Sequence, residues 1–245
     1  MNIKDRFEAL LNEANLINDY NKNKKIKIND EIIDGLPLIA YPDLDTKQNL
    51  KINELAKKVL YTSKYENNNN EVVITYSLDE KELKSKNKTY MTMIKGEKSE
   101  TNIEGDTETY HLLNTTRNAV IVNIHNHLSG SDFSINDIMF FISYSSIKLM
   151  VLIPNDGGIF YLSKNKDFDR RKNVHVFGNI ISKVKPEAYN NGIIDFNKLS
   201  YNEMADIAER YTKISHSLGV DYRFEPNQYE KDEEGEWLWI ILIIY

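Results

Sequence analysis

Two periods of apolar repetition run along this chain, and the switches between them mark the expected elements. From Lys4 to Tyr20, the residues Phe7, Leu10, Leu11, Ala14 and Ile17 recur at helical spacing, which predicts an amphipathic helix with one buried stripe. The Lys- and Asn-rich stretch Asn21 to Lys27 reads as a loop. It is followed by a short apolar stretch from Ile32 to Tyr41 and a second helical pattern from Lys47 to Leu60. After the polar break Asn67 to Asn70 the period changes. Glu71-Val-Val-Ile-Thr-Tyr-Ser-Leu is rich in β-branched and aromatic residues and predicts a strand, with a second at Thr89 to Ile94 and a hairpin connection through Asp79 to Lys88. A short helix is expected over Asp106 to Thr116, and Ala119 to His125 reads as a central strand. Ser134 to Ser145 is a helix. Lys148 to Pro154 and Ile159 to Ser163 are strands joined by the turn Asn155-Asp-Gly-Gly158. Towards the end, Tyr201 to His216 is helical with Gly219 as its cap, and strands are expected at Val220 to Phe224 and Trp237 to Tyr245. The last run would aggregate if exposed, so it should be a buried strand or an edge covered by a partner. Strands and helices mix throughout, an α/β or α+β class with no internal repeat. Three segments are expected: a helical N-terminal region 1–66, a central domain 67–167 and a C-terminal α+β extension 168–245.

Composition narrows the chemistry. The 245 residues carry 31 Lys and Arg against 37 Asp and Glu, a formal charge of −6, without a long cationic block that would neutralise a phosphate backbone. Nucleic acid is therefore not the expected partner. No export signal and no run approaching the ~20 apolar residues of a membrane helix stands out, so a cytoplasmic protein without membrane partners is expected. With no cysteine, any metal must be held by His, Asp or Glu.

One segment concentrates such residues: Asn123-Ile-His125-Asn-His127-Leu-Ser-Gly-Ser-Asp132-Phe-Ser134-Ile-Asn-Asp137. Residues i and i+2 of a strand point to the same side, so His125 and His127 can present two imidazoles to one point. Asp137 follows at the start of the next helix, where the loop can return its carboxylate over the strand end. Two imidazoles and a carboxylate leave a tetrahedral zinc one position open to water, whose pKa such an ion lowers to roughly 7. A carboxylate is the natural base beside it, and the Ser134 hydroxyl is a candidate donor to a developing oxyanion. Each piece also has a plain reading. His-x-His alone fits two surface histidines on a strand end. Ser134-Ile-Asn-Asp137 is a capping box that any helix start can use. Asp132 reads best as a loop-turn residue, and His111, His175 and His216 have no partner at ligand spacing.

Taken together, His-x-His, a Ser-Gly loop and Ser-x-x-Asp resemble the JAMM signature of the JAB/MPN family, most closely the RadC-like and phage-type bacterial branch, whose loop reads His-Asn-His-Pro-Ser-Gly. The resemblance runs from about Glu71 to Ser163. It implies a cytidine-deaminase-like sheet with flanking helices, zinc held by His125, His127 and Asp137, an oxyanion-stabilising Ser134, and a catalytic Glu on an upstream strand. Glu71 matches that residue, with Asp79 eight positions on as in similar bacterial members; Glu97 and Glu100 are the fallbacks. The implied activity is hydrolysis of a peptide or isopeptide bond in a protein or peptide substrate by metal-activated water. The alternatives are a catalytically silent protein-binding or scaffold module and a RadC-like DNA-associated protein. Two departures stand out: Leu128 occupies the usual Pro position, and six residues separate His127 from Ser134 where the commonest form has seven.

Overall fold

The computed structural model describes residues 25–96, 105–116, 119–190, 193–231 and 237–239. The helix expected over Lys4 to Tyr20 lies outside them, as do Glu97 and Glu100.

Strand formation follows the β-branched runs. β1 (Val72–Ser77), β2 (Met91–Lys95), β3 (Ile121–His127), β4 (Ile147–Pro154) and β5 (Ile159–Lys164) join β8 (Val220–Glu225) in a six-stranded sheet of order β2-β1-β3-β4-β5-β8. Only β3 and β4 run parallel; all other neighbours are antiparallel. β4 is buried at every position, which is why Leu149 to Pro154 form a continuous apolar run and not an alternation, with the one charged residue, Lys148, near the strand start.

Helices cover both faces. On one side α1 (Asp30–Asp34), through Ile32 and Ile33, and α2 (Thr46–Glu66), through Ile52, Leu55, Val59 and Leu60, pack in one cluster with Ile74, Val122, Ile124 and Val151. α2 starts at a capping box between Asp45 and Gln48 and runs two turns beyond the expected Leu60. On the other side lie α5 (Ile135–Ser143), α6 (Arg170–Val184) and α7 (Tyr201–Ile214). They bury Ile138, Phe141, Phe177, Ile181, Ile207 and Tyr211 against Ile121, Met150, Leu152 and Leu162. Each such fully buried Ile, Leu or Phe stabilises the fold by roughly 1.5–3 kcal/mol relative to exposure. The connection from β1 to β2 holds a short helix, α3 (Glu80–Ser85), and α4 (Thr107–Thr115) starts at the Asp106 cap.

The three segments expected from sequence share this one sheet. α2 from the first covers one face, and β8 from the last pairs with β5 from Ile159↔Glu225 to Lys164↔Val220. Gly219 permits that pairing. Its φ is +77°, and a Cβ there would sit 2.3 Å from the Phe168 amide nitrogen, so the turn into β8 requires glycine. Between α6 and α7 lies a small hairpin, β6 (Tyr189–Asn190) with β7 (Ile193–Ile194). Trp237–Trp239 (β10) pairs with Tyr229–Lys231 (β9) in a separate ladder; the rest of the run to Tyr245 is outside the described residues.

Candidate metal centre

The tip of β3 is polar on both faces, and each face has its own task. Asn126 turns towards α2. It accepts from the Val72 amide at 2.8 Å and donates to Asn155 Oδ1 at 2.8 Å and Ser63 Oγ at 3.2 Å. Asn155 in turn donates to the Ile26 carbonyl at 3.0 Å. Fully buried and fully engaged, this amide network pins the strand end to the chain segments around it. Asn123, His125 and His127 alternate onto the opposite face, beneath α5.

His125 is 3 % exposed. Asn123 Oδ1 lies 3.3 Å from its Nδ1, a contact in which the amide oxygen can accept the Nδ1 proton and so free Nε2 to ligate. That Nε2 is buried without a hydrogen-bond partner and lies 3.4 Å from Asp137 Oδ1. His127 Nδ1 contacts Ser131 Oγ at 3.1 Å, and its Nε2 lies 3.3 Å from Asp137 Oδ2. Asp137 reaches this point because it is the third residue of α5. Ser134 Oγ accepts from the Asp137 amide at 3.2 Å, while Asp137 Oδ2 accepts from the Ser134 amide at 2.7 Å and its hydroxyl at 2.6 Å. The capping box and the ligand triad are thus one structure, with the helix start serving to aim the carboxylate.

One ligand atom from each of His125, His127 and Asp137 lies within 4.8 Å of the others, the one such grouping among the described residues. Two imidazole nitrogens and a carboxylate facing a common point favour a cation between them. Burial pushes the Asp137 pKa up, yet the pull of His125 and the contacts with both imidazoles hold it well below the usual carboxylate range. For His127 burial acts downward, and Asp137, with Glu71 behind it, outweighs that and raises it.

Glu71 precedes β1. The register Val73↔His125, extended by one pleat, sets it across from His127 on the same face. Its carbonyl accepts from the Gly96 amide at 2.9 Å and from Asn67 Nδ2 at 2.8 Å, which fixes its backbone. Asp79 lies past the other end of β1, far from this site. Ser134 is exposed at the rim with its hydroxyl donating to Asp137. Asp132 does more than make a turn. Its Oδ1 accepts from the Phe133 amide at 2.6 Å, but its Oδ2 accepts from the Tyr222 hydroxyl of β8, and burial raises its pKa. Leu128, the departure from the family loop, has its carbonyl tied to the Ile26 amide at 2.8 Å. His175 and His216 contact Asn179 and Asp221, and neither joins the triad, nor does His111 on α4.

Sequence reasoning missed Asn123, Ser131 and Tyr222. Asn123 shares the i, i−2 face with His125 and is recoverable from strand alternation; Tyr222 has no local signal. No family model, no curated protein and no solved structure matches the chain. Among the described residues, no helix is long and apolar enough to cross a membrane.

Proposed function

We propose that this chain is a zinc-dependent hydrolase of peptide or isopeptide bonds with a JAB/MPN-like fold. The observation that carries the proposal is the orphaned, buried Nε2 of His125 facing the Asp137 carboxylate beside the His127 imidazole. The donor set fits zinc: two imidazoles and one carboxylate, no thiolate, three protein donors in all, as in catalytic sites. A strand end carrying His-x-His beside a helix whose first turn returns the third donor supports the family reading.

When bound, zinc supplies a Lewis acid that polarises a scissile carbonyl and acidifies water. The protein's own groups do the remainder. Asn123 and Ser131 orient the two imidazoles, a hydrogen-bonded support that governs ligand basicity and ring position. Ser134 fixes Asp137 through its amide and hydroxyl. Because that hydroxyl already donates to Asp137, Ser134 aligns a ligand before it serves any oxyanion. Glu71, whose charge acts on His127, takes a proton from water and delivers it to the leaving amine.

The test is cleavage of a peptide library and of isopeptide-linked substrates by zinc-loaded protein, with and without chelator. Wild type should cleave, chelator should abolish cleavage, and Glu71→Gln should keep its zinc while losing at least about 100-fold in rate, the lower end for a general base. Cleavage that survives chelation sinks the hydrolase reading. Stoichiometric zinc with no cleavage would make the centre a brace for a protein-binding surface.

A further inference from the structure

At the opposite end of β3, beside α5 and α6, lies a cavity of about 1180 Å³, bordered by Ala119 before β3, Ser145 and Lys148 at β4, and the segment from Lys164 into α6. The length of β3 puts it about 20 Å from the metal cluster, at 3.3 Å per strand residue. Its volume lies just above the roughly 300–1,000 Å³ of clefts that take small molecules, room enough for one.

The charges around it do not balance. Lys164, Lys166, Arg170 and Arg171 line it, in a chain whose net charge is −6. Of the acids on the wall, Asp43 already accepts from Lys148 Nζ at 2.8 Å, and the Asp169 carboxylate accepts from the Lys172 amide at 3.0 Å as the cap of α6. Lys166, Arg170 and Arg171 are exposed at the cavity and make no ion pair among the described residues. Lys164 is 3 % exposed and donates to a single acceptor among them, the Tyr144 carbonyl at 2.6 Å, with its Nζ lying 4.5 Å from the Phe168 ring centre and 4.7 Å from that of Phe141. A buried ammonium offers three donors, and among the described residues one of them finds an acceptor. Burial, with Arg170 nearby, draws its pKa down to about 7, a strain that an anion beside it would relieve. Phe168 and Tyr189 add aromatic wall.

We infer that this cavity binds a small polyphosphorylated ligand, with Arg170 and Arg171 forking onto phosphate oxygens and Lys164 donating from below. Guanidinium groups suit such bidentate contacts. The shared chemistry is the phosphate chain; a nucleotide and an inorganic polyphosphate are its two sources. The site is independent of the metal cluster.

Calorimetric titration of the full chain at low salt with ATP, tripolyphosphate and adenosine tests it. ATP and tripolyphosphate should bind saturably and adenosine should not. Tighter ATP assigns the nucleotide source, and equal affinities assign the inorganic one. Arg170→Ala/Arg171→Ala, both at exposed positions, should weaken binding by about tenfold or more, and Lys166→Glu should weaken it independently. His127→Ala should leave it unchanged. Absence of saturable binding, binding undiminished in the double variant, or binding lost in His127→Ala would overturn the inference. So would displacement of ATP by a short oligothymidylate, which would make the surface a single-strand nucleic-acid site.

Discussion

At the C-terminal end of β3 a buried imidazole faces a carboxylate and its orientation is set by Asn123, whereas near the strand's other end a buried ammonium, Lys164, has one acceptor among the described residues and three exposed cations for company. Both ends bury polar groups beneath the same helices. They differ in how the neighbours are arranged. Around His125 every second nitrogen or oxygen is held by a local bond: Ser131 on His127, Ser134 on Asp137, Asn126 behind the strand. Around Lys164 the cations outnumber the acids: Asp43 pairs with Lys148, and Asp169 caps α6. A preorganised mixed cluster suits a cation, and an unneutralised cationic one suits an anion.

The contrast can be broken most severely through Asn126. Asn126→Leu removes the acceptor of the Val72 amide and the donor to Asn155 and Ser63, leaving buried groups unpaired, each such loss worth about 1–3 kcal/mol. Denaturant titration should therefore show a loss on the order of 3 kcal/mol, with zinc binding weakened as the strand tip loosens. An unaffected midpoint would mean that the tip is not held from behind. A smaller, more selective change is Asn123→Ala. The fold should persist, while zinc affinity in a chelator competition falls about 10–100-fold, the usual effect of removing the group that orients a ligating imidazole. Unchanged affinity would show that His125 needs no such partner.

The opposite end answers to pH. The Lys164 pKa lies at about 7, below its ordinary 10.5, so between those values the unfolded chain binds more protons than the folded one, and stability rises with pH across that window. The penalty of burying Lys164 is complete below the lower value and fades towards the upper. Lys164→Met should accordingly raise the thermal midpoint more near about pH 6 than near about pH 9. A pH-independent difference would show that Lys164 keeps its ordinary pKa.

Most of the His125, His127 and Asp137 cluster is legible in sequence because each step is local. His125 and His127 share a face by strand alternation, and Asp137 returns through a capping box that Ser134-Ile-Asn-Asp137 announces. Glu71 needs one further step, the antiparallel register of β1 on β3, which a single sequence does not supply. What stays hidden depends on contacts between distant positions. Tyr222 and Asp132 meet only because β8 closes the sheet edge beside β5. The α+β class and most strands follow from apolar periodicity, whereas the helix inside the Asp79 to Lys88 connection has no fully buried residue and turns Leu83 alone to the core, too little for an apolar stripe to reveal it. α6 has Val174, Phe177, Ile181 and Val184 at helical spacing, but Gly178 and a cationic first turn interrupt the pattern. A Cβ at Gly178 would meet the Tyr189 hydroxyl at 2.6 Å, so a larger residue there would have to push that ring aside.

Zinc content by elemental mass spectrometry tests the convergence of His125, His127 and Asp137 most directly. Wild-type protein should carry one zinc per chain, and His125→Ala and Asp137→Ala, each with a native circular dichroism spectrum, should carry none. Equal metal in wild type and both variants, or a folded wild type that takes up no zinc when it is supplied, would contradict it.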